Sequence, residues 1–392
     1  MRTPGVPRLL RAINDRAALE LLLSQGPLTR PEIGRLTGLS KPTASAMLAR
    51  LQQAGLVVLD GVREGATGRS AELYRINAEA SYVCGLDVSP LRIAAEVADL
   101  SGRVTGSFVL ETPGRSGVDA AARAVAAADG AAAAAGLSRD RLDQVVIAIQ
   151  GAINPGTGRL AYAAHIPGWQ GPDLVQRLQE SLALPVMVEN DVNLAALAEA
   201  EHGVARDVPC FVHVWVADGI GMAVVIGGAL HRGATGGAGE IAYMPVATAP
   251  VMRHPRRTHT GGVQAFLGRS AQLRLLREHG ARGTDPAAMI TRAPGSALDA
   301  LAERFAFTLA PVVGVLDPSL VVLAGDLATA GGEELRRRVE HELHCLTVPR
   351  PRVALSALEA DPVLSGALLA ALGRAREEIF SRSLPIPQGE QQ

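Results

Sequence analysis

The 392-residue sequence predicts an α/β fold in two parts, a small helical head followed by a larger body of alternating strands and helices. Three observations lead to this prediction. Two short helical patterns flank Gly38, ahead of brief strand-like runs. From Tyr82 onward, apolar strand-like runs alternate with helical patterns, which is typical of an α/β fold. Strand-rich openings near residues 82 and 211 are compatible with two similar lobes, and the length allows two or three domains.

The first predicted helix of the head begins at Thr29, which stands three residues before Glu32 and can form a capping box with it. The helix should end at Gly38, because glycine enters the left-handed conformation of a tight turn without steric cost. Ser40 then caps a second helix. Pro42 falls in the first turn of that helix, where the missing N–H of proline would be unbonded anyway.

The second predicted helix carries one apolar face with the i, i+3, i+4, i+7 spacing of a buried stripe. The stripe consists of Ala44, Met47, Leu48 and Leu51. Gly55 should end this helix. Strand-like runs at 56–59 and 73–76 then flank the glycine-rich segment 61–72, which is typical of the wing of a winged helix. We therefore predict a winged helix-turn-helix DNA-binding domain over residues 1–77.

Charge favours double-stranded operator DNA as the partner of this head. Residues 1–77 contain 11 Arg and Lys against 6 Asp and Glu, a net charge of +5, whereas the remaining residues have a net charge of −6. Basic side chains suit phosphate contacts. The alternative is a small helical unit that packs against a neighbouring domain. The candidate DNA-contacting residues are Ser40, Lys41, Thr43, Ser45, Arg50, Arg63 and Arg69.

Composition limits what else the chain can be. No apolar run free of charges and helix breakers is long enough to span a membrane, and the first residues lack the features of a secretory signal, so a cytoplasmic location is expected. Cys84, Cys210 and Cys345 are far apart, which indicates neither a disulfide framework nor a cysteine zinc site. We expect all three to be buried free thiols.

The sequence of the body predicts a series of strands and one alanine-rich helix. A hinge at 77–81 should precede it, and an alanine-rich helix should cover residues 117–136. The predicted strands are Tyr82 to Asp87, Ile93 to Asp99, Arg103 to Leu110, Val145 to Ile149, Pro185 to Glu189, Phe211 to Val216 and Leu320 to Ala324. Trp169 is expected to belong to the core rather than to a cleft wall.

Five segments in a fixed order resemble the ROK family of repressors, open reading frames and kinases. They lie at 85–102, 148–160, 165–199, 219–246 and 317–328. The resemblance implies a two-lobed, actin-like sugar-kinase fold, and the winged helix ahead of it indicates the repressor branch, which resembles N-acetylglucosamine and xylose repressors. The expected lobes are 82–192, completed by a C-terminal helix near 363–383, and 193–362. The resemblance also implies a homodimer or homotetramer.

Three turns depart from the phosphate-binding motifs that the resemblance would imply for a kinase. Ser89, Pro90 and Leu91 replace a small-residue turn, so a backbone donor and a hydroxyl are lost. Asp218 would place a carboxylate against nucleotide phosphates, and Asp326 replaces an expected glycine. We therefore expect no ATP-dependent transfer, no catalytic residue and no cofactor.

The sugar side of the resemblance is better preserved. Asn190 and Asp191 match positions that bind sugar hydroxyls, and Glu240 matches another. A carboxylate can accept two hydroxyl hydrogen bonds without any catalysis. The alternatives are a helix cap for Asp191 and a surface carboxylate for Glu240. The complete set of candidate sugar-binding residues is Gly151, His165, Asn190, Asp191, Glu240 and Tyr243.

No metal site is expected. The resemblance would imply a histidine and a cysteine cluster that bind structural zinc, but Tyr243 stands in the histidine position and the segment 250–262 has no cysteine. Gln264 replaces the glutamate expected after that cluster. His254 and His259 lie in the segment without acidic or cysteine partners.

These observations predict a transcriptional regulator, most simply a repressor, that is controlled by a sugar or sugar derivative bound between the lobes of a catalytically inactive body. Two alternatives stay open. One is an active ROK sugar kinase with a DNA-binding head. The other is a ligand-independent pseudokinase regulator that docks a protein partner.

Overall fold

A computed structural model describes residues 7–64, 70–112, 119–154, 156–157, 159–161, 168–169, 173–246, 249–251, 261–358 and 361–382. Arg69, His165, His254 and His259 lie outside these residues. The chain forms the mixed α/β fold that the sequence predicts, with a winged helix-turn-helix head ahead of two five-stranded sheets.

The head packs its helices over a small antiparallel sheet. Its elements are α1 (Pro7–Gln25), β1 (Leu28–Thr29), α2 (Arg30–Thr37), α3 (Lys41–Gln53), β2 (Val57–Glu64) and β3 (Ser70–Ile76). The sheet order is β1-β3-β2. Both strands of the predicted wing are longer than the sequence suggested, because the hairpin pairing continues beyond an irregularity between Leu59 and Gly61. The core of the head includes Leu19, Ile33, Met47 and Tyr74.

The first sheet of the body lies in residues 82–190. Its region comprises β4 (Tyr82–Val88), β5 (Arg92–Asp99), β6 (Val104–Glu111), α4 (Ala120–Ala134), β7 (Leu142–Ile149), β8 (Ala152–Ile153), β9 (Leu160–Ala161), α5 (Leu174–Leu182), β10 (Val186–Asn190) and α6 (Asp191–His202). The strand order is β10-β7-β4-β5-β6, with β4 antiparallel to β5 and parallel to β7. The alanines of α4 let that helix pack closely on this sheet.

The second sheet lies in residues 211–355. Its region comprises β11 (Phe211–Val216), β12 (Ile220–Ile226), β13 (Ala229–Leu230), α7 (Gly262–Leu267), α8 (Arg269–Glu278), α9 (Pro286–Ile290), α10 (Gly295–Leu316), β14 (Leu320–Ala324), α11 (Asp326–Leu346), β15 (Arg352–Leu355) and then α12 (Pro362–Arg382). The strand order is β13-β12-β11-β14-β15, with β11 antiparallel to β12 and parallel to β14.

The two body sheets therefore share one topology, in which β4 corresponds to β11 and β10 to β15. Similar lobes were predicted from the two strand-rich openings, and the matching strand orders confirm that similarity. The helix that follows each sheet packs on the other one. Val192 and Ala196 of α6 belong to a core with β11 and β12, whereas α12 packs against β4 and β7.

The burial of Trp169 and of the three cysteines can be compared with the predictions from the sequence. Trp169 is fully buried in the core of the first sheet, as expected. The prediction of three buried thiols was wrong for two of them: Cys84 is buried, whereas Cys210 is partly exposed and Cys345 is exposed. Cys345 lies near the end of α11, beyond the buried stripe of that helix.

Candidate functional site

The helix-turn-helix of the head has the local geometry that its sequence predicts. The Thr29 N–H donates to Glu32 Oε2 at 2.7 Å, the Glu32 N–H donates to Thr29 Oγ1 at 3.4 Å, and together they form the capping box. Gly38 has φ of 70° in the turn. Ser40 Oγ accepts the Thr43 N–H at 3.4 Å and caps α3. The predicted stripe of α3 is buried.

Burying that stripe leaves the N-terminal end of α3 exposed. Ser40, Lys41 and Thr43 are exposed there, Ser45 is partly exposed, and the Ser40 and Thr43 hydroxyls are hydrogen-bonded at 2.8 Å. This end of the helix can present one cation and several hydroxyls to a phosphate backbone or to base edges.

Two other candidate DNA-contacting residues are engaged inside the head. Arg50 Nη2 donates to Asp15 Oδ1 of α1 at 2.7 Å, and the Asp15 side chain is only 11% exposed. Arg63 Nη1 donates to Glu32 Oε1 at 2.9 Å. The sequence places Arg50 on the polar face of α3 but gives no sign of these partners, which are distant along the chain. In this structure both guanidinium groups hold elements of the head together.

A cleft of about 460 Å³ opens between the two body sheets, and five of the six candidate sugar-binding residues line it. These are Gly151, Asn190, Asp191, Glu240 and Tyr243. The volume is within the range of small-molecule pockets. Trp215 and Tyr243 add aromatic surface, and Gln150, Asn193 and Gln264 add amide groups. Such a mixture suits a ligand with several hydroxyls and an apolar face.

The N-terminus of α6 builds one wall of this cleft. Asn190 Oδ1 accepts the Asn193 N–H at 3.0 Å and caps the helix, while Asn190 Nδ2 donates to the Gly151 carbonyl at 3.1 Å. Asp191 is the first helical residue, and its Oδ1 accepts the Val192 N–H at 2.9 Å. The cap is therefore Asn190 rather than Asp191. The Asp191 carboxylate also lines the cleft.

The opposite wall is a glycine-rich segment that leads to Glu240. Gly239 has φ of 93°, and a Cβ there would collide with the Met222 carbonyl of β12, so only glycine fits. Glu240 and Tyr243 follow in a tight turn that faces the cleft. The sequence alone left open whether Glu240 is a surface carboxylate, and its position in the cleft wall removes it from the open surface.

Two carboxyl groups that line the cleft, Asp191 and Glu240, interact electrostatically with each other, and Asp191 also interacts with Asp87. Burial raises the pKa of Asp191 to about 6. Burial, and then the charge of Asp191, raise the pKa of Glu240 to about 7. Burial, and then the charges of Asp361 and Asp191, raise the pKa of Asp87 to about 7. Groups that are perturbed by burial and by each other inside a cleft are typical of functional sites.

The turns that replace the phosphate-binding motifs border the same cleft. Ser89 and Arg92 close a tight hairpin through the Ser89 N–H and the Arg92 carbonyl at 2.9 Å, and Pro90 lines the cleft. Asp326 is the first residue of α11 and also lines it. Asp218 differs from the prediction. Arg269 Nη1 donates to its carboxylate at 3.1 Å, so the charge that was expected to repel phosphates is partly neutralised.

An ion pair beside the cleft joins the two halves of the body. Arg232, which follows β13, donates through Nε to Glu189 Oε2 of β10 at 2.6 Å. Asn193 Nδ2 donates to the other oxygen of this buried carboxylate at 2.9 Å. The sequence analysis missed both residues. A charged residue within an otherwise apolar strand, VMVEN, was the available signal.

Two kinds of feature do not occur within the described ranges. No group of three His, Cys, Asp or Glu residues there is placed to hold a metal ion. No helix in the same ranges is long and apolar enough to cross a bilayer.

Comparison with known proteins assigns both parts of the chain. The ROK family model matches residues 83–371, and the MarR family model matches residues 9–70. The xylose repressor of Bacillus subtilis is 25% identical over 253 residues, and the match spans 60% of this chain and 61% of that protein. The transcriptional regulator Rv0485 of Mycobacterium tuberculosis is 27% identical over 432 aligned positions, which span 95% of each chain.

Solved structures agree on the fold. A ROK family transcriptional regulator described as a homolog of the Escherichia coli MLC protein superposes with a TM-score of 0.75 at 18% identity, covering 96% of this chain and 99% of that one. A ROK hexokinase from Thermus thermophilus superposes with a TM-score of 0.61 at 27% identity, covering 76% of this chain and 99% of that one. The first superposition includes the head, whereas the kinase corresponds to three quarters of the chain.

Proposed function

Because the chain belongs to the ROK family and its head matches the MarR model, we propose that it is a DNA-binding transcriptional repressor controlled by a sugar or sugar derivative. One observation carries the proposal: a winged helix with an exposed recognition-helix end is joined to a body whose cleft brings together Asn190, Asp191 and Glu240. The relative named as a xylose repressor matches 60% of this chain, and the relative named as a transcriptional regulator matches 95% of it.

The test is footprinting on DNA beside its own gene and on genomic fragments. Protection of a palindromic site, with a steep salt dependence, is expected because phosphate contacts release counterions. Ser45→Glu and Arg69→Ala should weaken protection, whereas Glu303→Gln, an exposed change on α10, should not. The absence of any protected site at low salt, or protection that is indifferent to Ser45→Glu, would overturn the proposal.

We further propose that the body does not transfer phosphate. Pro90 in the first hairpin cannot donate a backbone hydrogen bond, and Leu91 offers no hydroxyl. Asp326 adds a carboxylate at the N-terminus of α11, where a nucleotide phosphate would be attracted by the helix dipole. The kinase alternative predicts ADP release with some member of a sugar panel. Robust turnover that Asp191→Asn abolishes would establish that alternative.

The ligand-independent alternative is separated by thermal unfolding. A sugar present at about 100 times its Kd should stabilise the folded protein by roughly 2.7 kcal/mol. Stabilisation by a sugar that also lowers operator affinity supports the proposal. If no neutral sugar, amino sugar or disaccharide stabilises the protein while operator binding is intact, the result supports a body that docks a protein partner instead.

We propose a homodimer or homotetramer as the active form, because a single winged helix contacts one half-site and a palindrome presents two. Operator binding also requires access to the chromosome, so we place the protein in the cytoplasm. Sedimentation of the free and DNA-bound protein tests the assembly. A single chain bound to a full operator would contradict it.

Contacts between the head and α12 of the body can transmit a change at the cleft to the head. Arg376 Nη2 of α12 donates to the Leu100 carbonyl at 2.9 Å, and Leu100 packs in the core of the head together with Ile379 and Phe380. Arg16 of α1 lies over the Phe380 ring at 5.5 Å. The head is therefore attached to the helix that packs on α6, whose first residue is Asp191.

A further inference from the structure

The charge of the cleft limits the kind of ligand that it can accept. Its described lining residues include four carboxylates and no lysine, arginine or histidine. The carboxylates are Asp191, Asp218, Glu240 and Asp326. Within the described part of the chain, Asp218 is the one of these four that has an arginine partner, Arg269.

The α6 N-terminus is capped by side-chain oxygen atoms, and the α11 N-terminus, which no side chain caps, carries an acidic residue in its first turn. On α6, the Asn193 N–H is taken by Asn190 and the Val192 N–H by Asp191. On α11, Asp326 places a carboxylate in the first turn. A helix N-terminus attracts anions through unpaired N–H groups and its dipole, and acidic residues in its first turn compete with that attraction.

Arg232 and Arg269, two described arginines beside the cleft, are paired with carboxylates of the protein. Arg232 pairs with the buried Glu189 at 2.6 Å. Arg269 pairs with Asp218 at 3.1 Å and lies 3.6 Å from Asp285. A phosphate or carboxylate group on a ligand would have to displace one of these pairs, and displacing Arg232 would leave Glu189 buried without a counter-charge.

The inner end of the cleft is even less suited to an anion. Asp191 and Glu240 already repel each other, because the charge of Asp191 raises the pKa of Glu240. A neutral hydroxyl can donate to either carboxylate, and this hydrogen bond improves as the carboxylate becomes ionised. A ligand anion at the same place would add a like charge in a medium of low dielectric constant.

We propose that the effector is an uncharged sugar, recognised by hydroxyl donation to Asp191 and Glu240, and that phosphorylated sugars and sugar acids are rejected by the carboxylates of the cleft. This inference rests on the proposed function, since it concerns the ligand that controls operator binding. It separates a regulator that senses the free sugar from one that senses the product of the first phosphorylation.

The test uses calorimetry at about pH 8, where carboxyl groups and phosphate monoesters are ionised, to compare each neutral sugar with its anionic derivative. The pairs are glucose, xylose and N-acetylglucosamine, each with its phosphate monoester, and glucose with glucuronate. At least one neutral sugar should bind and lower operator affinity. Its anionic partner should bind at least about 100-fold more weakly, because like charges brought together across an interface are strongly disfavoured.

A variant tests the cause of the selectivity. Asp326→Asn should strengthen binding of the phosphate monoester several-fold, because it removes one repelling charge. Glu303→Gln, an exposed change on α10 outside the cleft lining, should leave both affinities unchanged. No effect of Asp326→Asn on phosphate monoester binding would contradict the charge argument.

The two proposals fail in different ways. A phosphate monoester or sugar acid that binds as tightly as its neutral partner and releases the operator would overturn this inference and leave the sugar-controlled repressor standing. If no member of any pair binds or alters operator affinity, the proposed sugar control fails as well.

Discussion

Glu240 and Asp191 keep carboxyl groups in a partly buried cleft, where ionisation is unfavourable. Each has an ordinary structural alternative in the sequence, and only the fold shows that they face the same space. Asn190 rather than Asp191 provides the side-chain cap of α6, and the Asp191 carboxylate lines the cleft. Carboxyl groups in a cleft whose pKa is shifted by burial and by a neighbouring charge are candidates for a functional site.

We predict that Glu240→Gln stabilises the unliganded protein at high pH. The folded pKa of Glu240 is raised from 4.5 to about 7, so the wild-type protein loses stability as pH rises through that interval. At a pH above the folded pKa of Glu240, the free energy of unfolding of the variant should exceed that of the wild type by roughly 1 to 3 kcal/mol. At a pH below the unfolded pKa, the two free energies of unfolding should be equal. Urea unfolding at both ends of the interval measures this.

The exposed Glu303→Gln provides the matched control, and its stability difference from wild type should not change with pH in this way. A Glu240→Gln difference that is independent of pH would show that the carboxyl group is not protonated preferentially in the folded state.

Among single elements, α3 shows how far sequence patterns reach. Its cap, buried stripe and start follow from local rules, and the structure confirms them. The partner of Arg50 on its polar face cannot be predicted from local rules, because Asp15 is 35 residues away along the chain and is brought near by the packing of α1. The same limit applies to Asp218, whose partner Arg269 is 51 residues away.

We predict that Lys41 and Arg50 affect operator binding by different routes. Lys41→Ala should reduce the salt slope of binding by about 0.9, the loss of one phosphate contact. Arg50→Ala should leave that slope unchanged and destabilise the head by about 1 kcal/mol, because it breaks the pair with Asp15.

Asp15→Ala is the matched variant, since it breaks the same ion pair from the other side. Equal losses of stability for Arg50→Ala and Asp15→Ala would support a role inside the head. If Arg50→Ala alone lowered the salt slope, the arginine would be a direct DNA contact.

Strand and helix boundaries were largely predictable where apolar runs end at polar or glycine residues. The prediction for β11 and β14 is confirmed residue for residue, and the helix predicted at 117–136 is observed as Ala120–Ala134. The wing strands were underestimated because their outer residues face solvent and carry no apolar pattern. Helices α1, α5 and α7 to α11 and strands β8, β9, β12, β13 and β15 were not predicted with bounds, and glycine and proline residues divide the region of α7 to α9 into short helices.

For the whole molecule, the arrangement of α6, α12 and the head suggests how ligand binding reaches DNA. A Cβ at Gly366 would collide with the Leu194 carbonyl, so α12 and α6 approach as closely as backbones can. A shift of α6 on ligand binding would be transmitted to α12 rather than absorbed by side chains between them. The head rests on the other end of α12.

We predict that Arg376→Ala weakens the coupling between the two sites more than it weakens either site. Sugar affinity and operator affinity should each change by less than about threefold, whereas the factor by which sugar lowers operator affinity should fall by at least about fivefold. Titrations of operator binding with and without sugar measure both. The cause is the loss of the 2.9 Å bond from Arg376 to Leu100.

Arg374→Ala is the control on the same helix, since Arg374 contacts Met187 of β10 and lies on the body side. Its coupling factor should match that of the wild type. Equal effects of the two variants would assign the coupling to general loosening of α12.

The exchange of covering helices between the two sheets has a consequence for synthesis. The apolar face of the first sheet, with Val83 and Val146, is covered by Ala367 and Ala371, which a ribosome makes more than two hundred residues later. A growing chain must hold that face uncovered until α12 emerges, and such surfaces attract chaperones and aggregate. The contacts of the DNA-binding head with Ile379, Phe380 and Arg376 also require α12, so a chain that has not yet made this helix cannot hold its head against the body in this way.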